Sequence, residues 1–268
     1  MPADAAVVLR RDVMEPYYKN DNVTLYHGDC LDIMPELNDI FDACITDPPY
    51  ATTECAWDTA IPFEPMWAQL ERLVKPGGAI CLFGTEPFSS ALRMSNPRKF
   101  RYDWIWEKNH SANFAQAPYM PLKVHEIISV FSDGTIAQNS KVRMTYKPQG
   151  TVECEIAMKG KTANDHRPNR STQDDYVQRR TNYPTSILHF GFASGLHPTQ
   201  KPVDLMEYLV KTYTDEGGLV LDFTAGSGST GVACMHTDRR CMLIEKEEKY
   251  CEVIRDRLEN DSFQMELF

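Results

Sequence analysis

No stretch of this chain is apolar for long enough to span a membrane, and Met1 to Asp12 lacks the continuous hydrophobic segment that export requires. None of the eight cysteines stands in a C-x-x-C pair, and Cys44 and Cys81 fall in apolar runs that read as strands. Both facts count against disulfides and against a cysteine-held metal. A reducing cytoplasm is therefore the expected compartment. Positive charge is also short, since the formal net charge is −10. That sum counts against a uniformly basic nucleic-acid binder, but the distribution of charge reopens the question. Between Thr135 and Leu196 nine basic residues, among them Lys141, Arg143, Arg167, Arg170, Arg179 and Arg180, outnumber five acids. This is either a basic patch on an acidic body, as phosphate contact requires, or a solvated loop with unsorted charge.

What is present is an alternation of short apolar runs and helix-period segments, in a chain of 268 residues that can form one large domain or one with a sizeable insertion. A helix is expected near Leu31 to Leu37, a strand at Phe41 to Thr46, and a helix over Phe63 to Val74 closed by Pro76-Gly77-Gly78. A strand over Ala79 to Phe83 and a helix over Phe88 to Met94 follow. Tyr102 to Trp106, Glu126 to Phe131, Leu219 to Phe223 and Arg240 to Ile244 read as further strands. The alternation predicts a largely parallel sheet covered by helices on both faces. Residues 135–195 interrupt it, being polar, basic and poor in apolar runs.

The most telling stretch is Asp47-Pro48-Pro49-Tyr50, directly after the Phe41 to Thr46 run. Two prolines stop the strand, so Asp47 sits at its carboxyl end, the edge of an open α/β sheet where ligands bind. Pro49 makes an extended Pro48 near-obligatory and so fixes where the Pro48 carbonyl points. Taken alone, the tetrapeptide is equally an ordinary strand-ending turn.

A second feature lies near the other end. Leu219 to Phe223 leads into Thr224-Ala225-Gly226-Ser227-Gly228-Ser229-Thr230 and then an apolar helix start, a strand–glycine turn–helix unit. Glycines 226 and 228 let backbone approach a ligand, and a helix N-terminus suits a carboxylate or phosphate. Glu245 closes the next strand about twenty residues on, where an acid usually holds ribose hydroxyls. A nicotinamide or flavin dinucleotide fits this half but leaves Asp47 to Tyr50 unexplained. A nucleoside carrying an amino acid, S-adenosylmethionine, would use both halves.

Together these residues resemble the β class of amino-group DNA methyltransferases, in which the Asp-Pro-Pro-Tyr segment precedes the glycine-rich donor loop. Val23 to Leu31 resembles the family's strand ending in Gly-Asp, whose acid, here Asp29, contacts the donor's adenine. His197-Pro198-Thr199-Gln200-Lys201-Pro202 resembles its H-P-T-Q-K-P segment beside the donor's methionine end. The family commonly reads Asp-Pro-Phe-Ala-Gly-Ser-Gly where this chain has Asp222-Phe223-Thr224-Ala225-Gly226-Ser227-Gly228, so the roles of Phe223 and Thr224 stay open. The likeness spans residues 20 to 260 and is weakest between about 135 and 190.

The resemblance implies a Rossmann-like, circularly permuted α/β methyltransferase sheet. Its catalytic half would be residues 20–134, a target-recognition insertion 135–195, and a donor-binding half 196–260. It implies S-adenosylmethionine held by Asp29, His197, Thr199, Lys201, Asp222, Phe223, Thr224, Gly226, Ser227, Gly228, Thr230 and Glu245, with Lys201 suited to the donor's carboxylate. Asp47, Pro48, Pro49 and Tyr50 would hold the target base. Lys108, Lys141, Arg143, Arg167, Arg170, Arg179 and Arg180 would meet double-stranded DNA. An exocyclic amino group is a poor nucleophile because its lone pair is delocalised into the ring. Asp47 and the Pro48 carbonyl, each accepting one N–H, would free that pair, on a base flipped from the duplex and stacked on Tyr50. Adenine N6 is the expected target and cytosine N4 the close rival. Members using cytosine more often carry Ser at the Asp47 position. Carbon-5 methylation lacks its Pro-Cys pair, a non-catalytic nucleic-acid binder would not need an intact Asp47 and donor loop, and many relatives form homodimers.

Overall fold

The computed structural model describes residues 14–50, 59–137, 139–160, 175–193, 195–196 and 200–265. The main sheet is nine-stranded. In chain order its elements begin with β1 (Tyr18–Lys19), β2 (Val23–His27), α1 (Cys30–Ile33), β3 (Phe41–Thr46), α2 (Phe63–Leu73), β4 (Val74–Gly84) and α3 (Phe88–Ser95). The hairpin β5 (Phe100–Ala112) and β6 (Lys123–Phe131) follows. A separate two-stranded ribbon, β7 (Val152–Met158) with β8 (Tyr176–Thr181), precedes β9 (Ile187–His189). The chain ends with α4 (Val203–Tyr213), β10 (Leu219–Asp222), α5 (Ser229–His236), β11 (Arg240–Glu245) and α6 (Glu248–Met265).

Spatial order across the sheet is β1-β2-β11-β10-β3-β4-β6-β5-β9. Strands β2, β11, β10, β3 and β4 run parallel, as their near-continuous apolar sequences require of strands buried on both faces. β6 is antiparallel to both β4 and β5. The fold is thus a largely parallel α/β sheet in which the unit ending at Asp47 comes before the glycine-turn unit.

Alternation along each strand sorts the core into two layers. Ala43, Ile45, Val220, Cys241 and Leu243 pack against α4, α5 and α6, whereas Cys44, Leu221, Met242 and Ile244 pack against α1, α2 and α3. In α2, Met66, Trp67, Leu70 and Leu73 fall on one face at helical spacing and all are buried. The expected turn at Pro76-Gly77-Gly78 is instead the first half of β4, whose Val74 pairs with Phe41 across a register shift. Gly77 takes φ 81° there, so the strand kinks without ending. Among the described residues no helix is long and apolar enough to cross a membrane.

Residues 134–147 pack back onto this body. Thr135 and Arg143 form a bridge, the Thr145 N–H donates to the Gly77 carbonyl at 2.8 Å, and the Lys147 N–H donates to that of Thr212 at 2.8 Å. Gly77 and Thr212 mark the amino-terminal edge of the sheet and the end of α4. The basic segment therefore begins on the far side of the molecule from the carboxyl ends of the strands.

Candidate functional site

β10 and β3 are neighbours, yet the chain leaves β10 toward β11 and leaves β3 toward β4. The crossovers diverge at this point, and open α/β sheets hold ligands in the crevice so formed. A cavity of about 270 Å³ lies there. Its wall includes Asp29 after β2, Asp47 after β3, Asp222 ending β10 and Glu245 ending β11.

Asp222 is pinned by three donors: the hydroxyls of Thr46 at 2.6 Å and Thr230 at 2.5 Å, and the Thr224 N–H at 3.2 Å. Burial nevertheless pushes its carboxyl up to about 6. Glu245 accepts the Gly226 N–H at 2.7 Å and the Glu247 N–H at 2.8 Å, and burial raises it as well. Each oxygen keeps a lone pair for a hydroxyl. The turn between these acids depends on its glycines, with Gly226 at φ 55° and Gly228 at φ 75°. Asp29 caps α1 through the Leu31 N–H at 2.9 Å and meets Lys246 at 3.0 Å. Burial acts to raise its carboxyl, but those two donors together hold it below the ordinary value.

Thr224, Gly226, Ser227 and Thr230 line the cavity. Phe223 does not; it is 1% exposed and packs with Cys44 and Met242 in the α1–α3 layer, because an aromatic following Asp222 falls on the sheet's apolar face. Gly228 lies behind the wall as the N-cap of α5, against Ile254. Sequence reasoning missed Arg257, which reaches from α6 to donate to the Ser227 carbonyl at 2.9 Å and so props the turn from beneath.

The other wall centres on Asp47. The Tyr50 hydroxyl donates to one carboxylate oxygen and the Lys201 ammonium to the other. Lys201, only 7% exposed, also stands 3.4 Å from Glu126, whose other oxygen takes Lys108 at 2.5 Å. Burial raises the Asp47 carboxyl, Lys201 opposes that rise and Glu126 adds to it. For Glu126 burial acts upward too, but Lys201 and Lys108 prevail and hold it low. Burial works against charge on Lys201, and the two carboxylates outweigh it, so the amine stays protonated above its ordinary range. The Lys201 charge is thus directed at Asp47 and Glu126, and the residue lines the same cavity as the glycine turn. Glu126 itself was missed because it lies in the first half of an antiparallel strand, where a lone acid carries no motif. The Tyr50 ring rests on Phe88, with centroids 5.0 Å apart and planes at 37°.

Of the expected DNA contacts, Lys141 and Arg143 belong to the segment packed beside Gly77, at the amino-terminal edge of β4. Lys108 stands at the cavity edge, paired with Glu126 and stacked 4.7 Å from the Trp106 ring centre. Arg179 and Arg180 are exposed on β8. Arg167, Arg170, His197 and Thr199 lie outside the described residues.

Comparison with known proteins gives the same architecture. A family model described as DNA methylase, of the N6/N4 methyltransferase group, matches residues 41–256. The chain is 23% identical to the Type II methyltransferase M2.DpnII of Streptococcus pneumoniae over 92% of its own length and 94% of that protein. It superposes on the crystal structure of an M1.HpyAVI–SAM complex with a TM-score of 0.61, at 24% identity, covering 88% of this chain and 98% of that one. The cytosine-N4-specific PvuII DNA methyltransferase follows at a TM-score of 0.60 and 14% identity, with 89% and 87% covered.

Proposed function

Because the chain belongs to the N6/N4 DNA methylase family and is a DNA amino-methyltransferase, we propose that it methylates the N6 amino group of an adenine flipped out of duplex DNA. One observation carries this reading: Asp47, the Pro48 and Pro49 pair and the glycine turn line a single cavity where the strand crossovers diverge. An aspartate and not a serine at the head of the tetrapeptide supports adenine over cytosine N4.

The cavity suits S-adenosylmethionine, the methyl donor. Glu245, buried and bonded by backbone donors among the described residues, has lone pairs for ribose hydroxyls, and Asp29 lines the same cavity for the nucleoside. Leu31, Ile61 and Met206 give apolar surface, and the left-handed glycine turn lets the chain come close without side chains. When bound, the donor supplies an activated methyl group; the remaining work falls to the protein's own residues.

Asp47 must be ionised to accept an N–H from the target amine. Lys201 is the group that offsets burial and keeps that charge within reach. With the Pro48 carbonyl as second acceptor, the amino nitrogen is drawn toward tetrahedral geometry and its lone pair is released. Those hydrogen bonds strengthen as positive charge develops on nitrogen, so they lower the barrier and not merely the binding energy. Pro49 holds the Pro48 carbonyl in place beforehand, which spares reorganisation at the moment of reaction. Residues 135–195, which include the exposed ribbon carrying Arg179 and Arg180, are the proposed target-recognition part of the chain.

Asp47→Ala should retain donor binding, read by calorimetry with S-adenosylmethionine, and lose methylation. Methyl transfer to DNA at near wild-type rate in that variant would sink the mechanism. Sequencing the methylated DNA of cells expressing the wild type identifies both base and motif, and methylcytosine there would overturn the adenine assignment.

A further inference from the structure

The hairpin joining β5 to β6 turns at the cavity edge, and its tip is apolar and exposed. Phe114 is 78% exposed, Tyr119 89% and Met120 46%. Scattered exposed hydrophobes are ordinary, but three clustered on one protruding turn call for a partner. The turn is also built and held. Asn113 enters it in the left-handed conformation at φ 65°, and Phe114–Gln116 is a single 3-10 turn. The Ala117 N–H donates to Phe114 at 3.1 Å, and those of Tyr119 and Met120 donate to Gln116 at 2.8 and 3.0 Å. Pro118 and Pro121 bracket Tyr119 and Met120 and fix φ on both sides, so little conformational freedom remains to be lost on binding.

Position and charge identify the partner. Glu126, on β6, lies 3.4 Å from the lysine that grips Asp47, and β6 begins three residues earlier at Lys123. At roughly 3.3 Å per residue the turn therefore starts about 10 Å beyond the catalytic ion pair, on the same edge of the sheet. From Lys108 through His125 there is no Asp or Glu, in a chain of net charge −10. That interval carries Lys108, His110, Lys123 and His125. An acid-free, basic-flanked apolar tip beside a site that needs an extruded base fits the base stack of a polyanionic duplex.

We propose that the tip is a wedge: Phe114, Tyr119 and Met120 enter the stack beside the target and occupy the space the flipped base leaves. Apolar side chains inserted at base steps unstack the duplex, and an aromatic ring replaces the stacking that extrusion removes. The proposal rests on the DNA amino-methyltransferase reading and adds the element that opens the duplex.

The test compares two substrates that carry the target identified by sequencing. One is a matched duplex; in the other the target faces an abasic position, so no pair has to be broken. The Phe114→Ala, Tyr119→Ala double variant should methylate the matched duplex at least roughly tenfold more slowly than wild type and the abasic-paired duplex at near wild-type rate. Its thermal unfolding midpoint should be unchanged, since both side chains are exposed. An equal loss on both substrates, or no loss on either, overturns the wedge. So does a change from dimer to monomer in sedimentation with an unchanged substrate ratio, which would assign the tip to a second copy of the chain. If the wild type methylates neither duplex, the reading of the site fails instead.

Discussion

Asp222→Asn should make the ligand-free protein more stable above neutral pH, although it alters a residue at the centre of the donor cavity. The carboxyl is 4% exposed, and burial lifts it from 3.8 to about 6 despite donors from Thr230, Thr46 and the Thr224 N–H. Because the folded value lies above the unfolded one, the protonated form is favoured by folding. That stabilisation is complete below pH 3.8 and is lost as pH rises through 6. Fully ionised, the group costs the fold about 3 kcal/mol, of which about 1.4 kcal/mol is lost between roughly pH 5 and 8. Asparagine keeps an acceptor for the Thr46 hydroxyl, and its amide can donate to Thr230, whose hydroxyl rotates to accept. Urea unfolding of both proteins across that range should show the variant gaining about 1.4 kcal/mol on the wild type. A gap independent of pH would refute the reasoning. The same charge has a functional side. A net-positive donor favours the ionised carboxylate, so at about pH 6 binding should release a proton from the wild type and not from the variant. Calorimetry in two buffers of different ionisation enthalpy reads that difference.

Lys201→Met removes the buried cation between Asp47 and Glu126. It should cost about 3 kcal/mol in stability, moderated by Lys108 remaining on Glu126, and should push the Asp47 carboxyl higher still. The acid limb of the methylation rate against pH should then move to higher pH; an unmoved limb would remove Lys201 from control of Asp47. Gly77→Ala places a methyl 2.6 Å from the Arg143 carbonyl at a φ of 81°. About 2 kcal/mol of destabilisation is expected by urea unfolding, with unchanged methylation per folded molecule, because this contact sits on the edge opposite the cavity. Loss of methylation without loss of stability would contradict that placement.

The four acids of the site were legible because each follows an apolar run that could only be a buried strand. Phe41 to Thr46, Leu219 to Asp222 and Arg240 to Glu245 all form strands with nearly the bounds their sequences suggest. In a parallel sheet, strand direction then delivers every terminal acid to one edge. The partners of those acids were not legible. Lys201 announces a cation, but whether it meets a ligand or Asp47 depends on β6 lying beside β4, a pairing some fifty residues apart that no local pattern encodes. Charge counts are silent on placement in the same way: Lys141 and Arg143 are basic and lie in a polar segment, and backbone bonds to Gly77 and Thr212 tie that segment to the far edge. Proline and glycine at 76–78 signal a turn, and only the pairing of Val74 with Phe41 keeps the strand going through them.

The reversal of β6 has two consequences that share one cause. A parallel strand can offer only its carboxyl end to the cavity; β6, running the other way, brings its beginning, and with it Glu126, to the edge where Lys201 needs a second carboxylate. Its register is fixed, since Gly84 faces Ile127 and Trp106 faces Glu126, and a slip of one residue would turn Glu126 to the opposite face of the sheet. The same reversal makes β5 and β6 a hairpin whose turn must fall at the cavity edge, whereas a parallel pair would return by a crossover from the opposite edge. The second carboxylate of the Lys201 pair and the exposed aromatic tip are therefore not independent additions. Keeping either one requires the antiparallel strand, and the antiparallel strand places both on the same edge of the sheet as Asp47.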